Sequence, residues 1–306
     1  MVKYKMTTFI NALIKEKRPK ITDSSVRTYV SYLKNLYERV FGELPTSAED
    51  LKRFDDEEDK IMEFLKNVPF DKRKSIASAL VVITQNDNYR TLMLNDIDKY
   101  EKSLSQQQKS KKQAKNWVEM EEVKKIYNHL KKTAQLLYKK DNLNMNDLQQ
   151  IQAYIILSVL GGIHIPVRRS KDFTEFKIKD IDKTKYNFLE KNEFVFNTYK
   201  TAWKYGSQKV VIPSTLKRII NKWVKHNPTE WLFFDTNYKK LNSVSLNQRL
   251  KKIFEGKNIS TNMLRHIYLS DKYQDTIELQ EDIQQTMGDM GSSSNMLDVY
   301  VKRHTK

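Results

Sequence analysis

The sequence contains no cysteine. That excludes disulfides, cysteine-ligated zinc and thiol catalysis, and it fits a reducing compartment. Glycine is scarce, 7 residues in 306, and none of them builds the glycine-rich loop that cradles nucleotide phosphates. No run of about 18 apolar residues exists, so no membrane span is expected. The basic N-terminal stretch MVKYKMTTFINALIKEKRPK is interrupted by Thr7, Thr8 and Asn11, well short of a signal-peptide core. There is no internal repeat and no spaced cluster of His, Asp and Glu. Neither a metal nor a cofactor is therefore expected.

What is present in excess is positive charge. The 55 Lys and Arg residues against 38 Asp and Glu give a formal net charge of +17, which points to a polyanionic partner because neutralising phosphates releases counterions. Double-stranded DNA leads. A membrane surface would require a concentrated polybasic or amphipathic segment, whereas these lysines are spread along the chain. At 306 residues the chain is long enough for two domains.

The first hundred residues read as helices. TDSSVRTYVSYLKNLYERVFG opens on capping candidates Thr22 and Asp23, places Val26, Tyr29, Val30, Leu33, Tyr37 and Val40 at helical spacing, and stops at Gly42. SAEDLKRF, DEEDKIMEFLKNV and DKRKSIASALVVITQ continue the pattern, so residues 1–101 are expected to form a four- or five-helix domain. Residues 102–116, KSLSQQQKSKKQAKN, lack apolar periodicity and read as a basic linker. Residues 117–306 then form the second domain. Two long helical stretches lead it, of which NMNDLQQIQAYIILSVLGGI is apolar enough to be central to a core. EFKIKDIDKTKYNFLE, NEFVFNTYK and SQKVVIP are β-branched and aromatic, separated by turn-like breaks, and predict a small antiparallel sheet of about three strands. From Ser214 the helical pattern returns. The fold class expected is mainly α with a small antiparallel β-sheet.

One of these late helices, STNMLRHIYLSDKY, opens on Asn262, Arg265 and His266, groups that bind anions well and pack into cores badly. Three other stretches share that chemistry. In GGIHIPVRRSKDFTEFKIKDI, Arg169 is followed by Asp172, Phe173, Phe176 and the Asp180-Ile181 pair, with Arg168 as a rival arginine. FNTYKTAWKYGSQKVVIP carries Lys200 between two predicted strands. TMGDMGSSSNMLDVYVK ends near Tyr300.

In this order the four stretches resemble the signature boxes of the tyrosine recombinase family, of which phage integrases are members. The resemblance covers nearly the whole chain, and it implies a helical core-binding domain that binds DNA, followed by a catalytic domain. It also implies roles: Arg169 and Arg265 grip the scissile phosphate, Lys200 on the hairpin protonates the leaving 5′ oxygen, and Tyr300 is the nucleophile. Two positions depart from the family pattern. Asn262 stands where the second box has histidine, with His266 as an auxiliary, and Asp289 stands in the His/Trp position of the closing box unless Gly291 does.

The residue types suit the reaction. A phosphodiester passing through a pentacovalent state needs positive charge on its non-bridging oxygens, and two guanidinium forks supply it bidentately. A tyrosine nucleophile would keep the bond energy in a 3′-phosphotyrosine, so rejoining needs neither ATP nor a metal. The expectation is thus a site-specific DNA recombinase or integrase of a virus or mobile element, acting intracellularly wherever its DNA is: bacterial cytoplasm, host nucleus or virus factory. By the same resemblance it would form a homotetramer on paired DNA sites. Only six residues follow Tyr300, too few for the further helix many relatives exchange, so a monomer is expected when free of DNA. The rivals are a type IB DNA topoisomerase, whose N-terminal domain would be strand-rich, and a catalytically inactive DNA-binding relative.

Overall fold

The structure, a computed structural model, describes residues 2–302 and divides into two compact units, Met1–Gln108 and Lys109–Lys306. The first is all helical: α1 (Val2–Lys17), α2 (Asp23–Phe41), the short α3 (Arg53–Asp56) behind a 3₁₀ turn, α4 (Glu58–Lys66), α5 (Phe70–Thr84) and α6 (Asp87–Ser105). Helix α2 has the limits its sequence predicts. The Thr22 side chain accepts from Ser25 N, Gly42 closes the helix in the left-handed region at φ 77°, and Val26, Val30, Leu33, Leu36 and Tyr37 are buried. They meet Ile10 and Ile14 of α1, Ile61 and Leu65 of α4, and Leu80 of α5 in one apolar cluster. Helices α5 and α6 are further joined by a bidentate pair in which Arg73 Nε and Nη2 donate to Asp96 at 2.6 and 2.7 Å.

The stretch expected as a basic linker, residues 102–116, contains helical residues at both ends. Residues 102–105 end α6, and α7 (Lys111–Asn116) follows. A capping box organises α7: Gln113 N donates to Ser110 Oγ (3.3 Å) while Ser110 N donates to Gln113 Oε1 (2.8 Å). Satisfying helix-end amides in this way stabilises a turn without any apolar face.

The second unit contains α8 (Met120–Leu137), α9 (Met145–Leu160), α10 (Ser170–Thr174), β1 (Phe188–Glu190), β2 (Glu193–Phe196), α11 (Ala202–Tyr205), β3 (Gln208–Val211), α12 (Ser214–His226), α13 (Ser243–Ile253), α14 (Thr261–Lys272), α15 (Gln274–Asp289) and α16 (Leu297–Tyr300). The fold is therefore mainly α with one antiparallel three-stranded sheet, ordered β1-β2-β3. Phe188 pairs with Val195, and Phe194 with Val210. Helix α9 runs through the core, with Ile151, Ile155, Ile156, Leu157, Val159 and Leu160 fully buried. The sheet adds a cluster of rings: Phe173 of α10 meets Phe194 and Phe196 of β2 edge-on at 5.8 and 5.6 Å. Among the described residues no helix is long and apolar enough to cross a membrane.

Residues 176–178 were expected to begin a strand, and they make only isolated pairings. Lys177 N donates to Asn187 O, Ile178 N to Glu230 O, and Leu232 N to Phe176 O, all within 2.9 Å. Their alternation is real, but the backbone bonds are divided between Asn187 and the segment Glu230–Leu232, each as an isolated bridge, so no ladder extends.

Candidate active site

Arg168 and Arg169 occupy adjacent positions with different surroundings. Arg168 is half-buried and fully engaged: its Nε donates to Asp172 Oδ2 (2.7 Å), its Nη2 to Gln208 Oε1 of β3 (3.1 Å), and its guanidinium lies 3.9 Å from the centroid of the Phe196 ring. Arg169 is exposed and caps α10 through its backbone, with no hydrogen bond or ion pair to its side chain among the described residues. Alternation across the Arg-Arg pair thus sends one guanidinium inward and leaves its neighbour in solvent.

The second unpartnered guanidinium comes from α14. Ser260 caps this helix by accepting from Met263 N (3.2 Å), and Asn247 of α13 accepts from Thr261 N (3.0 Å). Met263, Leu264 and Ile267 face the core, which turns Asn262 and His266 to the exposed side and leaves Arg265 half-buried. Asn262 and His266 contact each other, Nδ2 to Nε2, at 3.3 Å. Arg265 makes no hydrogen bond or ion pair among the described residues.

Asp172 lies within the electrostatic reach of both arginines. Its carboxyl is buried, and Oδ1 has no hydrogen-bond partner. Burial pushes its pKa up, against the downward pull of Arg168, Arg169 and Arg265. Residues 96 positions apart in the chain, Arg169 and Arg265, therefore act on the same carboxyl group.

Two further contacts hold this arrangement. Gly162, at φ 73°, lets the turn after α9 approach Tyr268 of α14 so closely that a Cβ there would lie 2.5 Å from the ring. Asn187, fully buried, donates to Asp172 O (2.7 Å) and Thr198 O (2.8 Å) and accepts from Thr198 N (2.7 Å). It thereby ties α10 to the segment between β2 and β3 that carries Lys200. Lys200 is exposed in that segment.

The closing stretch stands apart from these contacts. Asp289 is the exposed last residue of α15, in which Met287 alone is buried. Tyr300 ends α16 with about half its surface exposed. No hydrogen bond, ring contact or charge interaction joins Tyr300 or Asp289 to Arg169, Lys200 or Arg265 among the described residues. Sequence reasoning gave no site role to Asp172, Asn187, Gln208 or Asn247. Only Asp172, in fixed spacing from Arg169, carried a signal in the sequence.

No protein-family model and no curated protein matches the sequence. Among solved structures, the chain is similar to a lambda integrase (75-356) dimer bound to a COC′ core site, with a TM-score of 0.42 and 14% identity over 100% of both chains. A second lambda integrase dimer on the same site gives a TM-score of 0.45 and 14% identity, over 99% of this chain and 80% of that one. A XerA recombinase gives 0.33 and 13%, over 97% and 94%.

Proposed function

We propose that this protein is a DNA strand transferase of the site-specific recombinase or integrase type, cleaving and rejoining DNA through a covalent 3′-phosphotyrosine. What supports this reading is a pair of guanidinium groups, Arg169 and Arg265, that make no hydrogen bond or ion pair among the described residues and whose charges both bear on Asp172 from distant parts of the chain. A phosphate accepting both forks would gain four or more charge-assisted hydrogen-bond positions and lose no competing protein partner. Charge developing on its non-bridging oxygens would then be met without reorganisation. Arg168 is committed to Asp172, Gln208 and the Phe196 face, so its role is to position α10, and Arg169 takes the phosphate.

In this mechanism the Tyr300 hydroxyl attacks phosphorus and loses its proton to a neighbouring base as the 5′ oxygen departs. Lys200 supplies a proton to that oxygen. Asn262 holds a non-bridging oxygen by its amide where the family pattern has histidine, and Asp289 stands at the remaining position of the closing box. The scissile phosphate of bound DNA would be the group that Tyr300 and the two arginines meet on. Assembly as a tetramer on paired sites belongs to the same proposal.

The test is covalent capture. DNA bearing the recombination site and a nick beyond the scissile phosphate should yield a protein–DNA adduct that Tyr300→Phe abolishes. Arg169→Ala and Arg265→Ala should lower the cleavage rate on the order of 10² or more each, with affinity little changed because many lysines hold the duplex. Lys200→Ala should be rescued by a bridging 5′-thiolate, which needs no proton to leave. A second reading is favoured by the lack of any contact between Tyr300 and the arginines among the described residues: a DNA-binding protein that keeps the fold without cleaving. DNA binding without any adduct, in wild type as in Tyr300→Phe, would select it.

A further inference from the structure

The segment between β2 and β3 carries an aromatic group that packing does not explain. Trp203 is 85% exposed, and Tyr205 two residues on is 58% exposed. Lone exposed apolar residues are ordinary, but a tryptophan this open is the least expected of them. The segment bearing it is not a loose tip. Tyr199, itself buried, donates its hydroxyl to Gly206 O at 2.7 Å, while Lys204 N and Tyr205 N donate to Thr201 O and Gly206 N donates to Ala202 O. Gly206 closes the turn at φ 66° and ψ −158°, a backbone region that essentially only glycine occupies. Helix α11 is thus a braced turn that holds the indole outward.

Positive charge dominates the turn, with Glu193 of β2, 4.0 Å from Lys209, as an acidic neighbour on the adjoining strand. Lys200, Lys204 and Lys209 are exposed along it, and no acidic residue occurs from 197 to 211. A rim of lysines argues against a second copy of this +17 chain as the occupant. A lipid surface would favour an extended amphipathic helix with an apolar face, whereas α11 has four residues. Cations that follow a phosphate backbone, combined with an aromatic face offered at the same level, are what recognition of single-stranded or opened nucleic acid requires.

We propose that Trp203 stacks on an unpaired or unstacked DNA base beside the phosphates held by Lys200, Lys204 and Lys209. The stack would hold open the few bases next to the site where strands are exchanged. This inference rests on the DNA reading above, but not on Tyr300 chemistry.

The experiment uses the full chain and two fluorescein-labelled DNAs of one sequence, an intact duplex and the same duplex with a short single-stranded gap. Wild type should bind the gapped DNA more tightly, and the ratio of gapped to intact affinity should fall on the order of tenfold in Trp203→Ala while Trp203→Phe keeps most of it. Lys204→Ala should instead weaken both DNAs alike and reduce the salt slope. A 2-aminopurine placed in the gap should be quenched by wild type and not by Trp203→Ala. An unchanged ratio in Trp203→Ala would overturn the proposal, as would a Trp203→Ala defect confined to anionic phosphatidylserine vesicles or to self-association without DNA. Failure of the DNA reading looks different, because wild type would then bind neither DNA. An intact Tyr300-dependent adduct with an unchanged affinity ratio would reject the stacking alone.

Discussion

Gly162 is the position at which one methyl group should do the most damage. Its φ of 73° puts an alanine in the left-handed region, at a cost of roughly 1–2 kcal/mol. The new Cβ would lie 2.5 Å from Tyr268 Cδ2 and 3.2 Å from Cγ, too close for any side chain, so the ring must move at a further cost of about 1–3 kcal/mol. Contact with Met120 Cε at 3.3 Å adds little, because a methionine end yields easily. Gly162→Ala should therefore destabilise its unit by about 2–5 kcal/mol.

The sequence supplies a clean assay. All four tryptophans, Trp117, Trp203, Trp223 and Trp231, lie in the Lys109–Lys306 unit, so tryptophan fluorescence in urea reads that unit alone. A cycle with Tyr268→Ala separates the two costs. Without the ring, Gly162→Ala should cost only the backbone part, about 1–2 kcal/mol. An equal cost in both backgrounds, or a loss below about 1 kcal/mol in wild type, would refute the close-approach argument. Because Tyr268 lies one turn after Arg265 on α14, the displaced ring should also lower cleavage more than DNA affinity.

Asp172→Asn should change how stability depends on pH. Burial raises the folded-state pKa of Asp172 above 3.8, so the stability this group contributes grows as pH falls through the folded value and is lost as pH rises. An amide cannot titrate, so Asp172→Asn should flatten this part of the urea-midpoint profile, while stranding the half-buried Arg168 guanidinium should cost about 3–5 kcal/mol at neutral pH; an unchanged profile would refute the burial argument. His164 has the opposite sense. Burial, helped by Lys131, lowers its pKa from 6.5, so stability is present above that value and is lost as pH falls below it; His164→Gln should flatten this part of the urea-midpoint profile. In the first unit, Asp96→Asn strands the half-buried Arg73 guanidinium and should cost about 3–5 kcal/mol, read by amide exchange in the peptides of α5 and α6, with exchange in α9 unchanged.

Local signals made much of the fold readable in the sequence. Thr22 and Gly42 bound α2 because a cap and a left-handed glycine act within a few residues. The hairpin strands follow from β-branched and aromatic runs between turns, and α14 from the spacing of Met263, Leu264 and Ile267. What stayed hidden depends on distance. Asn187 and Asn247 are ordinary polar residues in the sequence, and each matters through an amide placed against a segment 11 or 14 residues away. The different surroundings of Arg168 and Arg169 were hidden in the same way. Only Gln208, 40 residues on, and the Phe196 ring show which guanidinium is already committed.

The partition of charge around Asp172 is informative because the alternative was available. With 38 acidic residues in the chain, a sequence selected for stability alone could set a second carboxylate beside Arg169 and Arg265. Elsewhere this chain does so: Arg53 contacts both Glu43 and Glu57, and Lys177 takes Glu230 at 2.6 Å. At Asp172 there is one buried carboxyl for three guanidinium groups, with its pKa driven up and one oxygen unpartnered. Like charges held together cost free energy, and only an arrangement that gains from a further anion offsets it. A second carboxylate cannot serve as that anion during a reaction, since it would compete with the phosphate for the same donors. The surplus of arginine around Asp172 is therefore an argument for the proposed phosphodiester site over a purely structural ion-pair network.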